Sequence, residues 1–143
     1  VDNKTCFYCD KNEVLDSLMI HICELSSSNL YLNLNQSHLG RVIVASKIHV
    51  KEIFELPNSD RDSFMADVSL TSQVIQSVFC PDKINYAIYG DLVNHFHMHI
   101  VPKYKNQKNW GIPYDDDFPV FLSNEDRKLA IQQIRAKLVE MVT

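Results

Sequence analysis

The sequence predicts a mixed architecture in which antiparallel strands are covered by helices, and three observations carry that expectation. Between residues 18 and 46 it holds three apolar runs joined by short, turn-rich connections. Strands so closely spaced pair antiparallel, because a parallel pair needs a long crossover. One strongly patterned helix follows, long enough to cover a face of a sheet. Residues 94–103 then alternate histidine with large apolar side chains, the period of a strand with one buried face.

Taken in order, residues 5–10 carry Cys6 and Cys9 in a tight knuckle. A C-x-x-C pair outside an oxidising compartment points to metal or redox chemistry before a structural disulfide. Too few residues precede it for the strand of a thioredoxin-like motif, and a tetrahedral metal needs two more ligands. The bland alternative is two buried apolar thiols. Residues 18–25 form a plausible first strand with His21 facing outward, and 26–29 a turn. Residues 30–34 and 41–46 supply two further strands, and His49 lies where the chain leaves the sheet, a common place for functional residues. Asn58 or Ser59 is the expected N-cap of the main helix, with Asp60 and Asp62 in its first turn. Phe64, Val68, Ile75, Val78 and Phe79 make its apolar stripe, and the step from Cys80 to Pro81 ends it, with Cys80 a small buried hydrophobe. Residues 84–89 form a fourth strand and 95–102 a fifth. The acidic run 115–117 is expected to be a solvated loop. Ser123 then opens a last helix carrying Leu129, Ile134, Leu138 and Met141.

The chain has 143 residues, 45% hydrophobic and 22% charged, which fits a single domain over 1–143 with a proper core. A formal net charge of −4 argues against nucleic acid or an anionic membrane as an electrostatic partner. No run approaches the roughly 20 apolar residues of a membrane helix, and no signal-peptide core follows the first residues, so a cytoplasmic location is expected. The sequence opens on Val1, not Met, which fits a short leader removed or omitted.

The alternating stretch carries the chemistry. On a strand, His95, His97 and His99 share one face while Phe96, Met98 and Ile100 line the other. Neighbouring imidazoles then stand about 6.6 Å apart, suited to acting on one bound group or two adjacent ones. A half-wet strand would explain one such histidine better than three in register. Three imidazoles on one face are also good ligands for a transition metal, so pattern alone leaves a catalytic triad and a metal cluster both open.

The His95 to His99 stretch, followed by Ile100 and Val101, resembles the signature of the histidine triad (HIT) family of nucleotide hydrolases and transferases. The likeness extends to the paired Cys6 and Cys9, the strand leading into Lys47 and His49, the covering helix, and the order of all these parts. It implies an α+β HIT-like fold: a five-stranded antiparallel sheet with one long covering helix and a C-terminal helix, usually in a homodimer. Zinc-containing, bacterial-type members would place a structural zinc on Cys6, Cys9, His49 and His95. The middle histidine, His97, would be the nucleophile attacking the α-phosphorus of a nucleotide, and His99 would contact phosphoryl oxygens or help protonate the leaving group. Asn33 would meet the ribose hydroxyls, Leu34 would pack on the base, and Asn85 would contact sugar or phosphate.

The chain also departs from the family. Where a Gly-Gln-Ser or Gly-Gln-Thr run is common, it has Gly90, Asp91 and Leu92, so an apolar side chain replaces a hydrogen-bonding one and a carboxylate approaches an anionic substrate. Arg41 stands where histidine is usual and is expected to offset Asp91 and grip a phosphate. The implied function is cleavage of a dinucleoside polyphosphate, such as diadenosine tetraphosphate, or of a nucleoside phosphoramidate through a nucleotidyl intermediate on His97. The competing expectation, prompted by Asp91 and Leu92, is a zinc-stabilised nucleotide-binding or sensing protein with little turnover.

Overall fold

The computed structural model describes residues 6–143; the opening at Val1 lies outside them. Two short helices, α1 (Phe7–Asp10) and α2 (Glu13–Leu18), precede the strands β1 (Met19–Glu24), β2 (Ser28–Asn33) and β3 (Val42–Ser46). A 3-10 turn, Ile53–Glu55, leads into α3 (Asn58–Phe79), followed by β4 (Lys83–Ala87), β5 (His97–Lys103) and α4 (Asn124–Val142). The strands form one five-stranded sheet in the order β1-β2-β3-β5-β4, antiparallel throughout. This is the α+β arrangement the sequence predicts. No helix is long and apolar enough to cross a membrane among the described residues.

Both faces of the sheet are covered, which explains why β2 and β3 are buried almost throughout. Leu30, Leu32, Val42, Val44, Met98 and Ile100 point to the helix side and join Phe64, Val68 and Ile75 of α3 in the main core. Their alternate neighbours Tyr31, Ile43 and Ala45 point the other way and meet Cys6, Tyr8, Leu15 and Met19 in a smaller cluster. The helix α3 runs about 33 Å at the usual rise, and Phe64 packs its ring against Phe96 with centroids 4.8 Å apart.

Several local expectations need correction. The knuckle at Cys6 is a one-turn helix, and α2 is capped by Asn12, whose side chain accepts from the amides of Val14 and Leu15. Neither segment is long enough to show helical periodicity. The N-cap of α3 is Pro57, without a side-chain cap, so Asn58 and Ser59 lie inside the helix. Cys80 is exposed and adopts a left-handed conformation (φ 52°) as the helix ends, so it is not a buried hydrophobe. Ser123 caps α4 as expected, accepting from Asp126 N at 3.1 Å. The buried stripe of α4, however, is Ala130, Ile131, Ile134 and Leu138, while Leu129 and Met141 are exposed. Leu129 lies about 140° around the helix from Ile134, which puts it on the solvent side. Ile88 and Tyr89 have left the sheet, and His95 and Phe96 precede β5 instead of opening it.

A buried carboxylate ties the turn between β1 and β2 to the covering helix. Asp67 of α3, 4% exposed, accepts from Ser26 N (3.2 Å), Ser27 N (2.8 Å) and Ser28 Oγ (2.6 Å). Removing the acceptor strands the buried Ser28 hydroxyl and two partly buried amides, whose desolvation is not fully recovered. Asp67→Ala is therefore expected to lower the unfolding free energy by about 2–3 kcal/mol, against roughly 0.5 kcal/mol or less for the exposed Asp62→Ala on the same helix, as measured by urea denaturation.

Candidate functional site

The single turn of α1 places Cys6 and Cys9 on one side of the chain, with Asp10 N donating to Cys6 O at 2.9 Å and Lys11 ending the helix at φ 51°. His49 reaches the same point from the loop after β3. His95 arrives from the approach to β5, a segment held by backbone bonds from Ser46 N to Phe96 O (3.0 Å) and from Phe96 N to Val50 O (2.7 Å). Cys6 Sγ lies 3.4 Å and Cys9 Sγ 3.6 Å from His95 Nδ1, while His49 Nδ1 lies 3.1 Å from Cys9 Sγ and 3.0 Å from His95 Nδ1. All four donor atoms fall within 4.8 Å of one another, close enough to share a metal ion.

The protonation pattern suits such an ion. His95 Nε2 donates to Ser46 O at 2.7 Å, which leaves the lone pair on Nδ1 facing the thiols. Burial, aided by the neighbouring His49 and His97 and opposed by that hydrogen bond, lowers the His95 pKa to about 4. The imidazole therefore holds no competing proton near neutrality. Burial and then the adjoining Cys6 thiol push Cys9 up to about 11, so a metal has to displace a proton from it.

The other two triad histidines face a separate cleft of about 600 Å³. Among the described residues the group able to hold a metal takes in His95 but not His97 or His99, so the three imidazoles do not converge on one ion. His97 donates from Nδ1 to the backbone oxygen of His95 at 2.6 Å, which leaves Nε2 with its lone pair. Tyr8 lies against both rings, with centroids 5.1 Å from His95 and 5.2 Å from His97. Burial lowers the His97 pKa, and burial followed by the charges of His97 and Arg41 lowers that of His99 to about 3.

The cleft gathers most of the residues singled out in the sequence. Asn33, Leu34, Arg41, Asp91, His97 and His99 all line it. Asn33 is anchored by its own amide, which donates to Asn35 O at 2.9 Å. Asn85 does not join them: it accepts from Lys103 Nζ at 3.2 Å and lines a neighbouring cleft with Tyr86 and Trp110. Its strand register explains this, since Asn85 sits opposite Val101 and Ala87 sits opposite His99.

Arg41 also departs from expectation. It is 3% exposed, and the carboxylate it pairs with is Asp116, not Asp91. Its Nη2 lies 3.3 Å from Nδ1 of His99, and its guanidinium stands 4.9 Å from the centroid of the Tyr114 ring. The acidic run is therefore not simply solvated. Asp115 accepts from Lys108 at 2.9 Å and Asn109 at 3.0 Å, and the segment folds back along the sheet through Gln36 N to Val120 O (2.7 Å). Tyr8, Tyr114 and Asp116 are the site residues that sequence reasoning missed. Tyr8 was in view inside the C-x-x-C spacing, whereas nothing in the pattern of the loop marks the other two.

Residues 21–106 match the HIT domain family. An uncharacterized HIT-like protein of Methanocaldococcus jannaschii is 30% identical over 79 residues, which are 52% of this chain and 61% of that relative. The match thus spans less than two thirds of that relative's length. Among solved structures, a histidine triad protein of Bradyrhizobium japonicum superposes with a TM-score of 0.82 at 21% identity, covering 89% of this chain and 96% of that one. A zinc-bound histidine triad family protein of Mycobacterium smegmatis gives a TM-score of 0.68 at 21% identity, covering 96% and 95%. At such identities these structures speak to the fold, and the family match, over more than half the chain, speaks to descent: the protein belongs to the HIT domain family.

Proposed function

We propose that this protein is a nucleotide hydrolase acting in the cytoplasm, with a dinucleoside polyphosphate or a nucleoside phosphoramidate as substrate and His97 as nucleophile. The observation that carries this reading is the commitment of His97 Nδ1–H to the His95 carbonyl, which turns an unprotonated Nε2 toward a cleft able to hold a nucleotide. Family membership supports nucleotide handling. The Nε2 lone pair attacks the α-phosphorus, the N–P bond forms, and the bond to the leaving group breaks with its electron pair. Water then attacks the phosphorus, the N–P bond returns its pair to Nε2, and a nucleoside monophosphate departs. His99, next along the same face, contacts the phosphoryl oxygens or helps protonate the leaving group. Asn33 and Leu34, which line the same cleft, take the ribose and the base.

In the same reading the Cys6, Cys9, His49 and His95 centre holds a structural zinc. Tetrahedral zinc with its usual bond lengths separates its nitrogen and sulfur donors by roughly 3.3–3.8 Å; four of the six donor pairs here stand at 3.0–3.6 Å, and all four atoms lie within 4.8 Å of one another. A Mycobacterium smegmatis relative of the same fold is zinc-bound. The ion would contribute on the order of 10 kcal/mol to folding by fastening α1, and with it Tyr8, beneath the triad. A homodimer completes the reading, and sedimentation of the purified chain tests it.

A second reading, a nucleotide-binding protein with little turnover, is favoured by one observation. Asp91 and Leu92 line the cleft where a hydrogen-bonding run would hold phosphate, and the Leu92 side chain is left 98% exposed.

Three outcomes test these statements. Rapid quenching of wild type with a dinucleoside polyphosphate or a phosphoramidate should yield a nucleotidyl adduct on His97, and His97→Ala should lose hydrolysis by roughly 10³-fold or more; full activity in that variant refutes the nucleophile, and binding without an adduct supports the second reading. Metal analysis of protein purified without chelator should find one zinc per chain, lost in Cys9→Ser together with a Tm fall of roughly tens of degrees; finding none removes the zinc. The pH dependence follows from His99, whose folded pKa of about 3 lies below its ordinary 6.5. Between those values the unfolded chain binds the extra proton, so stability is fully present above pH 6.5 and drains away as the pH falls toward 3. Urea titrations across that window should show a shallower loss in His99→Asn than in wild type.

A further inference from the structure

We infer that Asp116 and Arg41 are positioning residues that fix the tautomer of His99, so that the two cleft histidines present opposite edges to a bound phosphoryl group. Arg41 stands at the entry to β3, on the face that carries Ile43, and is 3% exposed. A buried cation needs a charged partner, and Asp116 supplies it from the folded-back loop. The Asp116 side chain itself stays 68% exposed. That loop is anchored on the sheet by the bridge between Asn35 and Phe121 and by the Gln36 N to Val120 O bond, so the carboxylate is delivered from a fixed backbone. Tyr114 packs on the guanidinium, which holds it in plane.

The chemistry of the pair dictates the tautomer. A guanidinium only donates, so the His99 Nδ1 that faces Arg41 Nη2 at 3.3 Å has to accept, and the single proton of the neutral ring sits on Nε2. His97 is arranged the other way: its Nδ1 proton is bound by the His95 carbonyl and its Nε2 is bare. One imidazole therefore offers a lone pair and its neighbour, 5.1 Å away between centroids, offers an N–H. Combined with the proposed hydrolase reading, on which this consequence rests, His99 is a neutral hydrogen-bond donor to phosphoryl oxygen and not an imidazolium acid. A polyphosphate leaving group then departs as its anion, and an amine leaving group takes its proton from solvent.

Long-range proton–nitrogen NMR on histidine-labelled full chain, free of nucleotide and near neutral pH, tests the tautomer without reference to turnover. The expected spectrum has His99 protonated on Nε2 alone and His97 protonated on Nδ1 alone. A His99 protonated on Nδ1, or exchanging between both tautomers, overturns the inference. Asp116→Asn changes an exposed side chain and keeps its shape; His99 should then become a tautomer mixture, and kcat should fall roughly tenfold with KM within about twofold. Arg41→Lys keeps the charge but cannot serve both partners with one ammonium, so it should not restore the wild-type spectrum. A wild-type His99 spectrum in both variants refutes the positioning role. Should the wild type hydrolyse none of the substrates, the spectra still decide the tautomer, and only the reading of the cleft fails.

Discussion

The pairing of β5 with β3 is the constraint on which the rest of the molecule depends. With Ala45 opposite His97 and Ile43 opposite His99, the imidazoles fall on the face covered by the N-terminal helices, and Met98 and Ile100 fall on the face covered by α3. Side chains alternate with a period of two, so a slip of one residue would drive the histidines into the main core and the apolar residues into the cleft. The mutual fit of Phe64 and Phe96 and the burial of Ile100 make that slip prohibitive. The same hydrophobic contacts that hold the sheet together therefore also aim the chemistry.

His95 links the two halves of the site. Its ring turns toward the thiols and its backbone carbonyl holds the Nδ1 proton of His97, so one residue joins the candidate metal-binding group and orients the neighbouring imidazole at once. The ring can do this because it precedes the regular strand, where the backbone is held by Val50 and Ser46 instead of a full ladder. A histidine inside the ladder would have kept its ring on the common face beside the others. Tyr8 seals the junction, lying against both rings from beneath.

The features written as periodic patterns were legible in the sequence. Alternation gave the strands, the triad and its apolar reverse; the Cys6 and Cys9 spacing marked only half of a metal site, and the resemblance to the HIT family supplied His49 and His95 to the set of donor atoms that the fold draws within 4.8 Å. What escaped is what has no period. The helices α1 and α2 are too short to show a stripe, yet they build the wall under the triad. Asp116 and Tyr114 sit in an irregular loop, where a solvated acidic run and a carboxylate bound to a buried arginine look alike. Arg41 itself was singled out, but its partner lies 75 positions away and only tertiary structure could name it. Asn85 was misplaced for a related reason: strand register, not sequence distance from the triad, decides which cleft a side chain enters.

The sheet divides the hydrophobic interior into two unequal clusters, and they answer to different demands. The larger one, between sheet and α3, determines whether the chain folds at all. The smaller one, around Tyr8, Leu15 and Tyr31, chiefly sets how the imidazoles are seated. Conservative substitutions at Tyr8, Leu15 or Tyr31, away from the thiols, would thus disturb the seating of the imidazoles more than the main core. A scaffold divided in this way keeps its shape under changes that reshape its cleft.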